Sequence, residues 1–270
     1  MPHLKHMTIH TKTKSIINKP LILVTNDDGI TSTGIKALVD AMKEIGKVVV
    51  VAPDSPQSGM GHAITLDDPL RIEPVRIFED VDSYQCSGTP VDCVKLAVNK
   101  ILKRKPDLCV SGINHGSNSS INILYSGTMS AAMEASIEGI KAIGFSYLNY
   151  SFDADFSVPK KFAKQIASKV LANGLPTNTL LNVNIPDLNH KHIKGIKVCR
   201  QSIAKYEEDY NERLDPRGRK YYWLTGKFVN NDPGEDTDEW ALKNGFVSVV
   251  PVQFDLTAHH AIARINSFWK

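Results

Sequence analysis

The sequence predicts an α/β fold built on a mostly parallel central sheet, and three stretches make the case. Residues 21–24 (LILV), 47–52 (KVVVVA) and 106–112 (PDLCVSG) have the length and apolar content of strands buried on both faces. Each gives way at once to a polar loop, and after the first and third an apolar pattern at helical spacing follows. Strand, loop and helix repeating in that order specify parallel strands joined by right-handed crossovers. The expected architecture is a Rossmann-like three-layer sandwich with a C-terminal hairpin extension used for oligomerisation.

Taken in order, residues 1–20 are rich in Lys, His and Thr and lack a sustained apolar stretch. They read as a flexible N-terminal extension, not a signal peptide, with His3, His6 and His10 as part of a solvated arm. After the first strand, Ile35, Leu38, Val39 and Met42 mark a helix, and residues 47–52 complete a β-α-β unit. Residues 64–75 and 83–86 read as extended, the first held to an edge or irregular pairing by Pro69 and Pro74. Thr89 is a natural N-cap and Pro90 suits the first helical position, so a helix should run to about Leu102 on Val91, Val94, Leu96 and Val98. The strand at 106–112 is followed by an Ala-rich helix over 129–138, stopped by Gly139. Residues 142–148, 180–185 and 193–199 are further strands, and 158–172 a surface helix.

Residues 206–231 combine many charges with Tyr221, Tyr222, Trp223 and Phe228, the pattern of a projecting hairpin. Residues 232–239 are acidic but lack the ligand order of a calcium loop, so a solvated turn is expected. A strand at 247–252 and a short helix at 259–268 close the chain, with His259 and His260 given to the surface for want of an acidic partner. The division expected is an extension over 1–20, an α/β core over 21–200, and a hairpin and C-terminal segment over 201–270 packed on that core.

A chain of 270 residues with a 42% hydrophobic fraction can furnish a full core. Its net charge is +3, with the basic residues scattered, which speaks against stable nucleic-acid binding as the main role. No apolar run approaches the roughly 20 residues of a spanning helix, so no membrane partner is expected. Cys86, Cys93, Cys109 and Cys199 form no C-x-x-C pair. Buried free thiols in a reducing cytoplasm are the expectation.

The chemistry sits in the loops. Asp27 and Asp28 follow the first strand directly, where an open α/β sheet binds its ligands. Adjacent carboxylates repel unless a proton or cation separates them, and hard oxygen ligands favour Mg²⁺, Mn²⁺ or Ca²⁺; the same Asn, Asp and Gly are also ordinary turn chemistry. The second loop offers Ser58 and His62. The third offers Asn114, His115 and Asn118, then Ser126, Gly127 and Thr128 at a helix start whose backbone N–H groups can hold an anion, although capping alone also explains those residues. Three such loops at one sheet edge describe a metal-and-phosphate site.

Together the runs at residues 25–29 (TNDDG), 52–54 (APD) with Ser58 and Gly59, 88–94 (GTPVDCV), 110–114 (VSGIN) and 125–128 (YSGT) resemble the SurE (survival protein E) nucleotidase family. The resemblance covers residues 21–148 and resumes at Thr237 and Asp238 and at 247–257. It implies a divalent-metal-dependent phosphatase acting on nucleoside 5′- and 3′-monophosphates, sometimes on short polyphosphate, in a homodimer or homotetramer with exchanged arms. Matched residue by residue, it implies one cation per subunit, Mg or Mn, on Asp27, Asp28, Ser58 and Asn114. Phosphate contacts would fall on Asn118, Ser126, Gly127 and Thr128, and the catalytic group on Asp27, Asn118 and Ser126. Asp27 could orient water, take its proton or attack phosphorus. Gln57 stands where the family often has Arg and Thr33 where it often has Pro, and His62 matches only some members. A non-catalytic metal- or nucleotide-binding module and a sugar-nucleotide-dependent transferase share parts of this layout. A dinucleotide-dependent oxidoreductase needs G-x-G-x-x-G where this chain has Asn26, Asp27, Asp28 and Gly29, which argues against it.

Overall fold

The computed structural model describes residues 19–151 and 153–270. The expected N-terminal extension, with His3, His6 and His10, lies outside the described residues except for Lys19 and Pro20. In chain order the strands and helices are β1 (Leu21–Thr25), α1 (Thr33–Lys43), β2 (Lys47–Pro53), β3 (Ile72–Val75), β4 (Asp82–Cys86), α2 (Pro90–Leu96), β5 (Leu108–His115) and α3 (Gly127–Ile137). Then come β6 (Ala142–Tyr147), α4 (Ser157–Asn173), β7 (Thr179–Ile185), β8 (Gly195–Val198), β9 (Ala204–Leu214), β10 (Lys220–Asn230), α5 (Asp238–Lys243), β11 (Phe246–Gln253) and α6 (Ile262–Asn266).

Nine of these strands form one sheet in the order β3-β4-β2-β1-β5-β6-β7-β11-β8. Neighbours are parallel except β3 against β4 and β11 against β7. Side chains alternate across each strand, and in β1 both sets are apolar. Ile22 and Val24 join the core under α1 and α4, whereas Leu21 and Leu23 join the core under α2 and α3. That double burial is why residues 21–24 form an unbroken apolar run, and it makes the molecule an α/β three-layer sandwich.

α1, which follows β1, packs on one face of the sheet, and α3, which follows β5, packs on the other. β1 and β5 are neighbours, so the chain leaves their adjoining carboxyl ends toward opposite faces and opens a crevice between the two loops.

Three features depart from expectation. β5 does not stop at Gly112 but continues to His115, its register against β6 shifting between Ser111 and Asn114. Asn114 therefore stands on a strand end, beside an irregularity of the kind that re-aims side chains. Gly34 matches this bulge: a Cβ there would lie 2.0 Å from the Ile113 carbonyl oxygen, so only glycine lets α1 begin so close to β5. Second, residues 201–270 supply β11 to the main sheet, between β7 and β8, because Val247 to Val250 are buried and need strands on both sides. The hairpin pairs β9 only with β10, and its side chains are exposed almost throughout. Third, residues 232–239 are not merely a solvated turn. Asp232 and Asp236 clamp Arg200 at 2.6 and 2.9 Å, and Asp238 is fully buried. Elsewhere, the helix expected to reach Leu102 does so by widening into a π turn over Ala97–Ile101. His259, on the surface as expected, does have an acidic partner in Asp255 at 2.7 Å.

Candidate active site

The acidic turn is held by its own side chains. Asn26 Nδ2 donates to the Gly29 carbonyl and to Ser32 Oγ, both at 2.9 Å, and Ser32 in turn caps α1. Backbone bonds then stitch the three loops together. The Gln57 N–H donates to the Asp27 carbonyl at 2.7 Å, the Ile30 N–H to the Pro53 carbonyl at 2.9 Å, and the Gly61 N–H to the Tyr125 carbonyl at 3.2 Å.

Asp27, only 4% exposed, abuts the first turn of α3. The Thr128 hydroxyl donates to its Oδ1, and a Cβ on Gly127 would lie 2.7 Å from the Asp27 Cβ. Glycine at 127 is thus the condition for a carboxylate at 27 to reach the helix start. Asp28 is half-buried, and its Oδ2 accepts the His115 N–H at 3.4 Å.

Burial, with the neighbouring Asp28 carboxylate adding to it, pushes the Asp27 carboxyl up to about 6, against the pull of Thr128. Burial raises Asp28 as well, with the His115 N–H opposing. The two acids line a cavity of about 220 Å³ together with Ser58, Asn114, Asn118 and Ser126. Gly59, His115, Asn122 and Tyr125 complete its wall, with no Lys or Arg among the described lining residues. A larger hollow of about 810 Å³ lies under residues 74–84, but one chain segment lines it and no separate elements converge there, so the smaller cavity is the candidate site.

This donor set suits a hard divalent cation. Two carboxylates short of a counter-charge are disposed to share a cation, and the remaining donors are oxygen. Asn114 Nδ2 donates to the His115 and Gly116 carbonyls at 3.1 and 3.0 Å, which leaves Oδ1 as the atom Asn114 can offer. Among the described residues no group of three or more His, Cys, Asp or Glu side chains is placed to hold a metal ion. A cation held here would have the carboxylates of Asp27 and Asp28 as charged donors, with the hydroxyl of Ser58 and the amide of Asn114 as neutral ones.

Of the residues expected from sequence, Asp27, Asp28, Ser58, Asn114, Asn118 and Ser126 share the cavity wall. Ser126 also caps α3, its Oγ accepting the Met129 N–H at 3.1 Å. Gly127 and Thr128 lie behind Asp27. The hydroxyl of Thr128 is committed to that carboxylate, which leaves its backbone N–H as the group Thr128 can offer an anion. His62 turns away to Glu134, at 2.9 Å. Two further wall residues received no role from sequence, Asn122 on the Ser120–Leu124 3₁₀ turn and Tyr125 just after it, the latter entering only within the run YSGT. No periodicity marks that turn. Asp238 is part of the family resemblance, but its role shows only in the fold: its carboxylate accepts the Ser120 and Ser202 N–H groups at 2.8 and 2.9 Å and so anchors the third loop.

The comparisons agree with this geometry. The family model described as survival protein SurE matches residues 22–208. A protein of Christiangramia forsetii named 5′-nucleotidase SurE is 67% identical over 252 residues, 93% of this chain and 97% of its own length. Its namesake in Flavobacterium psychrophilum is 63% identical over 93% of this chain and 98% of its own. The crystal structure of the Sure protein from Aquifex aeolicus superposes with a TM-score of 0.81 at 44% identity, over 93% of this chain and all of that one. With a family model matching well over half its length and relatives this similar end to end, the chain belongs to the SurE family.

Proposed function

We propose that this chain is a 5′-nucleotidase that hydrolyses nucleoside monophosphates to nucleoside and phosphate in a metal-dependent reaction, with nucleoside 3′-monophosphates and short polyphosphate as further substrates. The observation behind the reading is the pair Asp27 and Asp28 at the crevice between β1 and β5, facing Asn118 and Ser126 across one small cavity. Relatives named 5′-nucleotidase at 67% and 63% identity support the substrate class.

In this reading Asp27, Asp28, Ser58 and Asn114 hold one divalent cation per subunit, Mg²⁺ or Mn²⁺. Bound there, such a cation neutralises phosphoryl charge and lowers the pKa of water. The residues do the positioning on which phosphoryl transfer chiefly depends. Asp27 has Oδ1 committed to Thr128, so Oδ2 is the oxygen it brings to the site. Asn118, Ser126 and the Gly127 N–H at the positive end of α3 hold the phosphoryl oxygens as charge shifts to the leaving group.

The hairpin and the C-terminal segment within 201–270 serve homodimer or homotetramer assembly, a reading supported by exposed apolar residues such as Trp223, Leu224, Phe268 and Trp269. Four buried free cysteines accord with a cytoplasmic location. Among the described residues no helix is long and apolar enough to cross a membrane.

The test is phosphate release from AMP and GMP with added Mn²⁺, for the wild type and Asp27→Asn. Turnover is expected in the wild type, with a loss of at least about 10³-fold in the variant, whose fold stays intact. Near-normal hydrolysis by Asp27→Asn would remove the assignment.

A further inference from the structure

Two asparagines, Asn182 and Asn184, interrupt the apolar run from Leu180 to Ile185 in β7. Both are buried, at 2% and 0% exposure, and neither lines the cavity. A buried amide costs desolvation unless its hydrogen bonds are met, and these are met by the third loop. Asn184 Oδ1 accepts the Asn118 N–H at 2.8 Å and the Ser117 hydroxyl at 3.4 Å. Asn184 Nδ2 donates to Asn182 Oδ1 at 2.9 Å, and Asn182 Nδ2 donates to the Asn118 carbonyl at 2.8 Å. The backbone of Asn118 is thus gripped at both N–H and carbonyl by two amides bonded to each other. On β6, Ser146 Oγ takes the Asn118 side-chain amide at 2.8 Å.

A surface loop ordinarily satisfies its backbone from water. Here the sheet interior does it, at the one loop residue that is both buried and on the cavity wall between Asn114 and Ser126. We infer that Asn184, seconded by Asn182, is a positioning residue of the phosphate site that acts through Asn118, an inference that rests on Asn118 holding the phosphoryl group as proposed above.

A double-mutant cycle separates positioning from mere structural support. It measures kcat and KM for AMP with Mn²⁺ in the wild type, Asn118→Ala, Asn184→Ala and the double variant. Asn118→Ala should lower kcat/KM by about 10²-fold, as loss of one donor to a charged oxygen does. Asn184→Ala should lower it by about 10-fold or more, mainly in kcat, because misplacement by about an ångström suffices. In the Asn118→Ala background, Asn184→Ala should change kcat/KM by less than about twofold. Equal losses in both backgrounds, or no loss from Asn184→Ala where Asn118→Ala has one, would overturn the inference. If Asn118→Ala itself keeps wild-type kcat/KM, the phosphate role of Asn118 fails and the inference falls with it. Should Asn184→Ala not fold, Asn182→Ser takes its place in the cycle under the same criteria.

Discussion

Asp27 is worse off in the folded, metal-free protein than in the unfolded chain. Its carboxyl, pushed to about 6 by burial and by Asp28, keeps a proton that the unfolded chain releases near pH 4. Between those values the native state binds more protons than the unfolded state, so stability falls as pH rises through about 4 to 6, by up to about 3 kcal/mol from this group. Asp27→Asn abolishes that loss, and urea denaturation of chelator-treated protein from pH 4 to 7 should give it the flatter profile and the higher stability at pH 7. Profiles that run parallel would contradict the account. Gly127→Ala tests the same contact from the other side. Its Cβ must displace Asp27, so kcat/KM should fall by about 10²-fold. The melting temperature should drop only a few degrees, and an unchanged kcat/KM would count against the packing argument. The acids could be read from sequence because a charged pair straight after an apolar strand leaves few alternatives. The side-chain commitment of Thr128 could not, since a helix start offers several hydroxyls and N–H groups and only packing decides which of them meets Asp27.

At the scale of elements, the strands and helices flanking the site were legible wherever both faces of a strand are buried or one stripe of a helix is, as in β1, β2 and α1, whereas α3, buried almost all round, was legible from its Ala-rich composition. The place of β11 was not. Its apolar run announces a strand, but insertion between β7 and β8 is decided by long-range pairing that local pattern does not encode. The edge role of β3 was legible from Pro74, because proline cannot donate to a ladder. One cross-element tie was also hidden. Glu134 of α3, 3% exposed, is bridged by Lys95 of α2 at 2.6 Å and by His62 of the second loop at 2.9 Å. Burial alone would raise its carboxyl, but hydrogen bonds from His62 and Lys95 bring it below the usual range. A depressed carboxyl adds stability above its unfolded value near pH 4.3, and that stability is lost as pH falls through the folded value. Lys95→Met should therefore cost about 1–3 kcal/mol at pH 7 by removing one partner of a buried acceptor. The difference from wild type should shrink below about pH 4. A urea series at both pH values reads this, and a difference that does not depend on pH would mean that packing, not charge, makes the contact.

Over the whole molecule, one nine-stranded sheet brings residues from positions 27, 58, 114 and 126 to a single lip, although nearly 100 residues separate the first from the last. Among the described residues, exposed large apolar side chains include several on the hairpin and in the last turns of the chain. Trp223 is 61% exposed and Trp269 78%, more than an isolated chain gains from leaving in water. Sequence marked the hairpin aromatics as projecting but not the exposure of Phe268 and Trp269, because whether a short terminal helix is covered is a property of the assembled fold. The central claim is narrower and concerns the lip itself, where buried Asp27, half-buried Asp28 and two neutral oxygen donors are the proposed holders of a cation. Anomalous scattering at the manganese edge, from crystals grown with Mn²⁺, tests it most directly. The account predicts one strong peak per subunit among Asp27, Asp28, Ser58 and Asn114; crystals whose manganese peaks all lie elsewhere would contradict it.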